Sequence, residues 1–131
     1  MNKNLGFVKV AAAIPNVRVA DCSYNVQQML DLIAPAEEQR AAVVCFPVLS
    51  VTAYTSQDLF RQQVLLEGAE LAVKNLLSYS TQSDTIILAG VPVCCKGTLL
   101  NCAAVIQNGK LLGLVAKRHL SRRDGVSEER W

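Results

Sequence analysis

The sequence predicts an α/β protein built on a mixed β-sheet with helices on one face. Short apolar runs, typical of buried strands, alternate with stretches in which apolar residues recur every three or four positions, as on helices. Near the end of the chain, Asn108-Gly109 joins two β-compatible runs, which is the preferred chemistry of a tight hairpin. The length of 131 residues fits one domain, and hydrophobic residues make up 51% of it, a high share that predicts self-association or a missing half of the domain.

The first half of the chain contains two predicted strands and one predicted helix. Phe7 to Ile14 is β-compatible, and Asp21 is the expected N-cap of the following helix. The apolar positions of that helix are Val26, Met29, Leu30 and Ile33. Pro35 is expected to break or kink the helix. Ala41 to Pro47 is a continuous apolar run, which predicts a strand buried on both faces.

The second half contains a longer helix and three strands. We expect the helix over about Asp58 to Tyr79 and a buried strand over Thr85 to Pro92. The predicted inner side of the helix consists of Leu59, Val64, Leu65, Leu71, Leu76 and Leu77. Asn101 to Gln107 and Lys110 to Lys117 form the predicted hairpin. The expected order is β-α-β-α-β-β-β, and the polar residues after Ser121 show no recognisable pattern.

Composition and charge exclude several classes of function. The net charge is +2 from 13 basic and 11 acidic residues, too balanced to predict a nucleic-acid or membrane partner. The longest uncharged stretch, Ala41 to Gln57, is interrupted by proline, serine and threonine and predicts no membrane span. The five cysteines form no CxxC pair or zinc spacing, so we expect neither a metal nor a cofactor. An odd number of cysteines without a signal peptide predicts a cytoplasmic protein with mostly buried free thiols.

Three segments of the chain carry a family resemblance. The first comprises Lys9 to Pro15, Val19 to Cys22 and Asn25, the second Phe46 to Tyr54 and Asp58 to Phe60, and the third Asn101 to Lys110, Val115 to Lys117 and Leu120. Together they resemble the carbon–nitrogen hydrolase (nitrilase) superfamily, and within it the N-terminal glutaminase domain of bacterial glutamine-dependent NAD synthetases. The likeness runs through nearly the whole chain. Residues 1–131 are therefore interpreted as a partial glutaminase domain without a synthetase domain.

The resemblance implies a fold and a catalytic chemistry. The fold is an α-β-β-α sandwich, of which this chain would be the first half. The chemistry needs a glutamate as general base, a lysine that stabilises the oxyanion and a cysteine nucleophile. The lysine falls on Lys117 and the glutamate on Val48, while the nucleophile would follow Trp131. A valine cannot accept a proton, and loss of a positioned acid–base group typically lowers the rate by roughly 10²–10⁴.

Other positions also depart from the family pattern. Ala53 stands where the family has the glycine of a Thr-Gly-Tyr motif, and Gly125 stands where a further glutamate is expected. Tyr54 is a candidate for lining the old substrate pocket, with core packing as the alternative. These departures indicate a truncated, degenerate relative of a glutamine-hydrolysing domain, in which Lys117 is a vestigial oxyanion residue.

Three functional interpretations remain open, and whether the chain is an enzyme is uncertain. The first is a glutaminase domain, with glutamine as ancestral substrate, that is inactive alone. The second is a non-catalytic interaction module that pairs with itself or with an intact relative. The third is an active hydrolase that uses Cys45 with Lys117. For the second, we expect a homo-oligomer, because the strands around Val43, Val44, Ile86, Ile87 and Val105 should expose an apolar sheet face.

Overall fold

The structure is a computed structural model that describes residues 6–120. Its elements are β1 (Val10–Ala12), α1 (Cys22–Glu38), β2 (Val43–Cys45), a 3-10 segment (Tyr54–Arg61), α2 (Gln63–Ser80), β3 (Ile86–Cys95), β4 (Thr98–Gln107) and β5 (Lys110–Ala116). Within this range the strands form one five-stranded sheet in the order β1-β2-β3-β4-β5. The predicted order of helices and strands is confirmed, although β1 is shorter than Phe7 to Ile14.

The sheet is mixed, as predicted. β1, β2 and β3 are parallel neighbours joined through α1 and α2, whereas β3, β4 and β5 follow one another as antiparallel neighbours. Val44 lies opposite Ala11 on one side and Ile87 on the other, and Ile87 lies opposite Ile106. This register aligns alternate residues of neighbouring strands on one face.

The helices bury one face of this sheet. Its buried strand residues are Val44, Ile87, Ala89, Val91, Cys102, Ala104 and Ile106. Met29 and Ile33 of α1 and Leu65 and Leu76 of α2 belong to the same hydrophobic core. Both helices therefore contribute to a single core on this side of the sheet.

The opposite side, which we call the open face, carries apolar residues that are half-buried or exposed. It consists of Val10, Val43, Cys45, Ile86, Leu88, Val105 and Val115. Val44 and Ile87 were also expected to be exposed, but both are fully buried under the helices. Successive residues of a strand point to opposite faces, so neighbours cannot share one environment. For the same reason β2 is not buried on both faces, and its Cys45 is exposed.

Helix α1 begins as predicted but ends later than expected. The Asp21 carboxylate accepts a hydrogen bond from Tyr24 N at 3.0 Å, which confirms the N-cap. Of the two alternatives predicted for Pro35, a break or a kink, the break is wrong, because α1 continues to Glu38. Pro35 lies in the last turn, where its missing N–H leaves only the carbonyl of Asp31 without a helical donor.

Helix α2 begins later than predicted, and its predicted inner side is confirmed only in part. It begins at Gln63, and the residues before it form the separate 3-10 segment. Val64 and Leu71, expected to face inward, are 73% and 61% exposed. The buried stripe is Leu65, Ala69, Ala72 and Leu76. Leu65 and Leu76 confirm part of the predicted inner side, whereas the two buried alanines were not predicted.

The predicted hairpin turn is confirmed. Asn108 and Gly109 both have positive φ, 50° and 74°, as a type I′ turn requires. A second turn of the same kind, Lys96-Gly97, joins β3 to β4 with φ values of 50° and 80°. Sequence analysis missed that turn and therefore ended β3 too early.

Candidate functional site

The position expected for the general base lies in a turn that rests on the open face. Val48 follows β2 and is 42% exposed. Beneath this turn is Gly90 of β3, where an added side-chain carbon would lie 2.6 Å from the carbonyl oxygen of Pro47 and 2.8 Å from the carbonyl carbon of Val48. Contacts this short are sterically forbidden, so glycine at position 90 allows the turn to approach the sheet.

Hydrogen bonds hold this turn on two sides. Val51 N donates to Gly90 O at 3.1 Å, and Gly90 N donates to Ser50 Oγ at 3.3 Å. On the other side, the fully buried Asn25 of α1 donates through Nδ2 to Val51 O at 3.0 Å. The backbone around Val48 is therefore fixed to both β3 and α1.

The expected oxyanion lysine lies at the same end of the open face. Lys117 follows β5, and its backbone N donates to Asn101 O at 2.8 Å, which extends the pairing of β4 with β5. A partly open cavity of about 70 Å³ lies here. Its walls include Leu49, Phe60, Pro92, Asn101, Lys117 and Leu120. The structure thus brings Leu49, the neighbour of Val48, to the same cavity as Lys117. The catalytic roles of Val48 and Lys117 stay predictions.

Asn101 is a polar residue of this cavity that sequence analysis did not single out. Its Nδ2 atom is buried and has no hydrogen-bond partner in the described part of the chain. Unpaired buried polar atoms are rare in native structures. The available signal was an asparagine within the otherwise apolar run Leu99 to Ile106 of β4.

Tyr54 and Cys45, two other candidates, are not at the cavity. Tyr54 is half-buried against the hydrophobic core, whereas Phe60 of the same 3-10 segment lines the cavity. Cys45 and Lys117 lie on β2 and after β5, three strand spacings apart, or about 14 Å. The strand pairing also places Cys45 level with Gly113 of β5, which is four residues before Lys117. A thiol–lysine contact between them is therefore excluded in this arrangement.

The two buried thiols, Cys22 and Cys102, do not supply an activated nucleophile. Burial, assisted by the nearby Asp21 charge, raises the pKa of Cys22 to about 11. Burial, followed by the proximity of Cys95, also raises the pKa of Cys102. Both thiols are therefore protonated at neutral pH. The expectation that most thiols are buried is wrong, because Cys45, Cys94 and Cys95 are exposed near or at strand ends.

Residues 6–120 contain neither a metal-binding cluster nor a membrane-spanning helix. No group of three or more histidine, cysteine, aspartate or glutamate side chains in this range could hold a metal ion. Across the same residues, none of the helices combines the length and the apolar character that a membrane crossing requires.

Comparison with known proteins relates the chain to one family. The model of the carbon-nitrogen hydrolase family matches residues 9–130. The glutamine-dependent NAD(+) synthetase of Mycobacterium tuberculosis is 31% identical over 115 residues, which are 88% of this chain and 17% of the synthetase. The synthetase of Aquifex aeolicus is 29% identical over 116 residues, again 88% of this chain and 20% of the relative. The chain thus spans about a fifth of the length of these relatives.

Solved structures agree with this relationship. A glutamine-dependent NAD(+) synthetase from Cytophaga hutchinsonii superposes with a TM-score of 0.80 and 28% identity, over 93% of this chain and 20% of the synthetase. An amidase from Nesterenkonia superposes with a TM-score of 0.75 over 88% of this chain and 44% of the amidase. The amidase is 20% identical and supports the fold alone. The chain belongs to the carbon-nitrogen hydrolase family, and its fold is part of a nitrilase-superfamily domain related to that of glutamine-dependent NAD(+) synthetase.

Proposed function

We propose that this polypeptide derives from a glutamine-hydrolysing domain and does not hydrolyse amides by itself. The observation that carries the proposal is Val48, which occupies the expected general-base position in a turn fixed beside the cavity of Lys117. Glutamine is the proposed ancestral substrate because the relatives are glutamine-dependent NAD(+) synthetases. In such a domain, glutamine hydrolysis would supply ammonia for NAD synthesis.

The chemistry explains why Val48 would stop the reaction. A general base takes the proton of the nucleophilic thiol, the thiolate attacks the amide carbon, and a lysine stabilises the resulting oxyanion. Val48 has no lone pair with which to accept that proton. The family position of the nucleophile would follow Trp131, and Cys45 is too far from Lys117 to replace it.

Ammonia release from glutamine tests this proposal. We expect the 131-residue polypeptide to release no ammonia above background, with the synthetase of Mycobacterium tuberculosis as positive control in the same assay. Val48→Glu alone should also remain inactive, since it restores a base without a positioned thiol. Glutamine turnover that disappears in Lys117→Ala would overturn the proposal and establish an active hydrolase.

A second candidate function is self-association through the open face, and the exposure of that face favours it. Val10 and Val115, at its two edges, are 65% and 62% exposed. Covering several hundred Å² of apolar surface is worth on the order of 10 kcal/mol at about 25 cal/mol per Å², before the costs of association are subtracted. A homodimer that packs open face against open face across a two-fold axis would bury this surface in both copies.

A matched pair of substitutions tests the homodimer. Val115→Asp places a charge on the open face, whereas Val64→Asp places the same charge on the exposed side of α2, where valine is 73% exposed. We expect light scattering across a dilution series to show a dimer for the unmodified chain and for Val64→Asp, and a monomer for Val115→Asp. A compact unmodified monomer at micromolar concentration, or equal effects of both variants, would contradict this function.

The cysteines support a reducing compartment for this protein. All five are free, and three are exposed. Exposed free thiols persist where disulfide formation is suppressed, which favours the cytoplasm as its location.

A further inference from the structure

We propose that a groove between α2 and β5 docks an amphipathic helix with a basic side, supplied by another protein. This α2–β5 groove lies on the helix side of the sheet, away from the open face, and has a volume of about 310 Å³. Its apolar lining includes Leu66 and Val73 of α2, Val91 and Val93 of β3, and Leu111 and Leu114 of β5. Docking here involves neither amide hydrolysis nor the open face, so the inference goes beyond the proposed function.

The groove exists because the two helices stop short of the last strand. Ala104 and Ile106 of β4 are fully buried, whereas the residues paired with them on β5, Leu114 and Leu111, are 45% and 43% exposed. A shift of register after Val105 lets both leucines share this face, although residues three apart on a regular strand point to opposite faces. Two helices, each about 10 Å wide, cover about four strands at a spacing of about 4.8 Å. A third helix beside α2 would therefore complete the layer over β5.

The polar lining of the groove is acidic. Glu67 and Glu70 of α2 lie along it, and no cationic side chain lines it among the described residues. Glu70 is already paired with Lys74 at 2.9 Å. Glu67 accepts a hydrogen bond of 3.2 Å from the neutral side-chain amide of Gln63 and therefore keeps its negative charge. A helix in the groove thus gains a charge partner if it carries lysine or arginine beside its apolar stripe.

Shape and charge together select the occupant. From Gln63 to Val73 the groove follows α2 for about 15 Å, which is the length of about three helical turns. The apolar stripe of a helix of that length would pack on the two exposed leucines, as in other helix-in-groove complexes. A second copy of this chain fits less well, because packing the groove on itself across a two-fold axis would bring Glu67 and Glu70 of both copies together.

Fluorescence anisotropy of a labelled model peptide tests the docking site. The probe is a helix of about 14 residues made of leucine and lysine, with leucine every three or four positions. The control peptide has glutamate in place of every lysine. With the whole 131-residue chain in about 0.15 M salt, we expect a Kd on the order of 10 μM for the lysine peptide. The glutamate peptide should bind at least about tenfold more weakly.

Two neighbouring substitutions on β5 locate the binding. Leu114→Lys removes apolar contact from the groove and adds a repelling charge, whereas Val115→Lys adds the same charge on the open face. We expect the Kd of the lysine peptide to rise at least about tenfold in Leu114→Lys and to change less than about twofold in Val115→Lys.

A second pair of variants keeps the test decisive if Leu114→Lys does not fold. Glu67→Lys reverses a charge beside the groove, and Glu38→Lys makes the same change at the exposed end of α1. Both glutamates are exposed, so both variants should fold. The Kd of the lysine peptide should rise at least about fivefold in Glu67→Lys and stay nearly constant in Glu38→Lys, because only Glu67 lines the groove.

Four outcomes would overturn the inference. The first is no binding of the lysine peptide to the whole chain, as when another part of the chain fills the groove. The second is equal binding of the glutamate peptide, and the third is an equal effect of the two folded variants in either pair. The fourth is dissociation of a dimer of this chain by the peptide, detected by light scattering, because a second copy would then be the occupant.

Discussion

Ala53 is held in a backbone conformation that suits glycine. Its φ and ψ are 73° and 141°, a region that L-residues seldom adopt. The neighbourhood enforces this conformation. Buried Ser56 has its hydroxyl within hydrogen-bond distance of both Thr52 O, at 2.8 Å, and Ala53 O, at 3.1 Å. An alanine in this conformation therefore stores strain next to the turn that carries Val48.

Ala53→Gly should raise the free energy of unfolding by about 1 kcal/mol. Relief of strain contributes up to about 3 kcal/mol, whereas the greater freedom of unfolded glycine and the lost methyl burial each cost about 0.8 kcal/mol. Chemical denaturation measures the difference. Ala42→Gly is the control, since Ala42 is exposed and has no positive φ, and it should destabilise slightly. A loss in Ala53→Gly as large as in the control would contradict the strain.

At the scale of elements, the β4–β5 hairpin is anchored to the end of α2. Gly109 N donates to Ser80 Oγ at 2.9 Å, and Gln107 Nε2 donates to Asp84 O at 2.8 Å. A side chain at position 109 would lie 2.7 Å from Thr81 Cγ2, so the turn fits closely against the helix. These contacts fix β5, and with it the backbone of Lys117, relative to the helices.

Ser80→Ala should lower the free energy of unfolding by about 1 kcal/mol, because it leaves the partly buried amide of Gly109 without its protein acceptor. Ser78→Ala is the matched control on the same helix, where the serine is exposed, and should change stability by less than about 0.5 kcal/mol. Hydrogen exchange of the β5 amides provides a second readout and should accelerate only in Ser80→Ala. Equal effects of the two substitutions would show that the anchor contributes no stability.

Local chemistry explains which elements were predictable from the sequence. Asn108-Gly109 and the Asp21 cap depend on neighbouring residues alone, and both were found. The 3-10 segment was not, because Ser56 and Thr52 stabilise an early turn through contacts that propensity does not reveal. Part of the inner side of α2 was missed because buried alanines at 69 and 72 look no different in sequence from exposed ones.

At the scale of the whole molecule, the site residues come together only through strand pairing, which sequence patterns do not show. Val48 and Lys117 were placed by resemblance, and the pairing of β3, β4 and β5 brings their surroundings to one end of the open face. Asn101 was not predicted as a site residue, because its cavity forms only when strand register places it beside Lys117. Strand pairing likewise decides that Val43 lies on the open face and Val44 on the face under the helices.

Two buried thiols and one half-buried phenol make the stability of the whole molecule depend on alkaline pH. Burial raises the pKa of the Cys22 thiol from 9.0 to about 11 and also raises the pKa of Cys102. Burial, with the hydrogen bond that Tyr79 donates to Glu37, raises the pKa of the Tyr79 phenol above 10.0. In each case the folded state binds the proton more tightly than the unfolded state. Stability is therefore complete below the unfolded pKa values and falls as pH rises through the folded ones.

We expect the free energy of unfolding, measured by chemical denaturation under reducing conditions, to decline steadily from about pH 9 to about pH 11. Cys22→Ala should make this decline shallower, because the substitution removes one of the groups that titrate differently in the two states. Cys45→Ala removes an exposed thiol and should leave the slope unchanged. The comparison uses slopes, so a constant loss of stability in Cys22→Ala does not affect it. A flat profile for the unmodified chain, or the same slope in all three proteins, would show that burial of Cys22 does not control its titration.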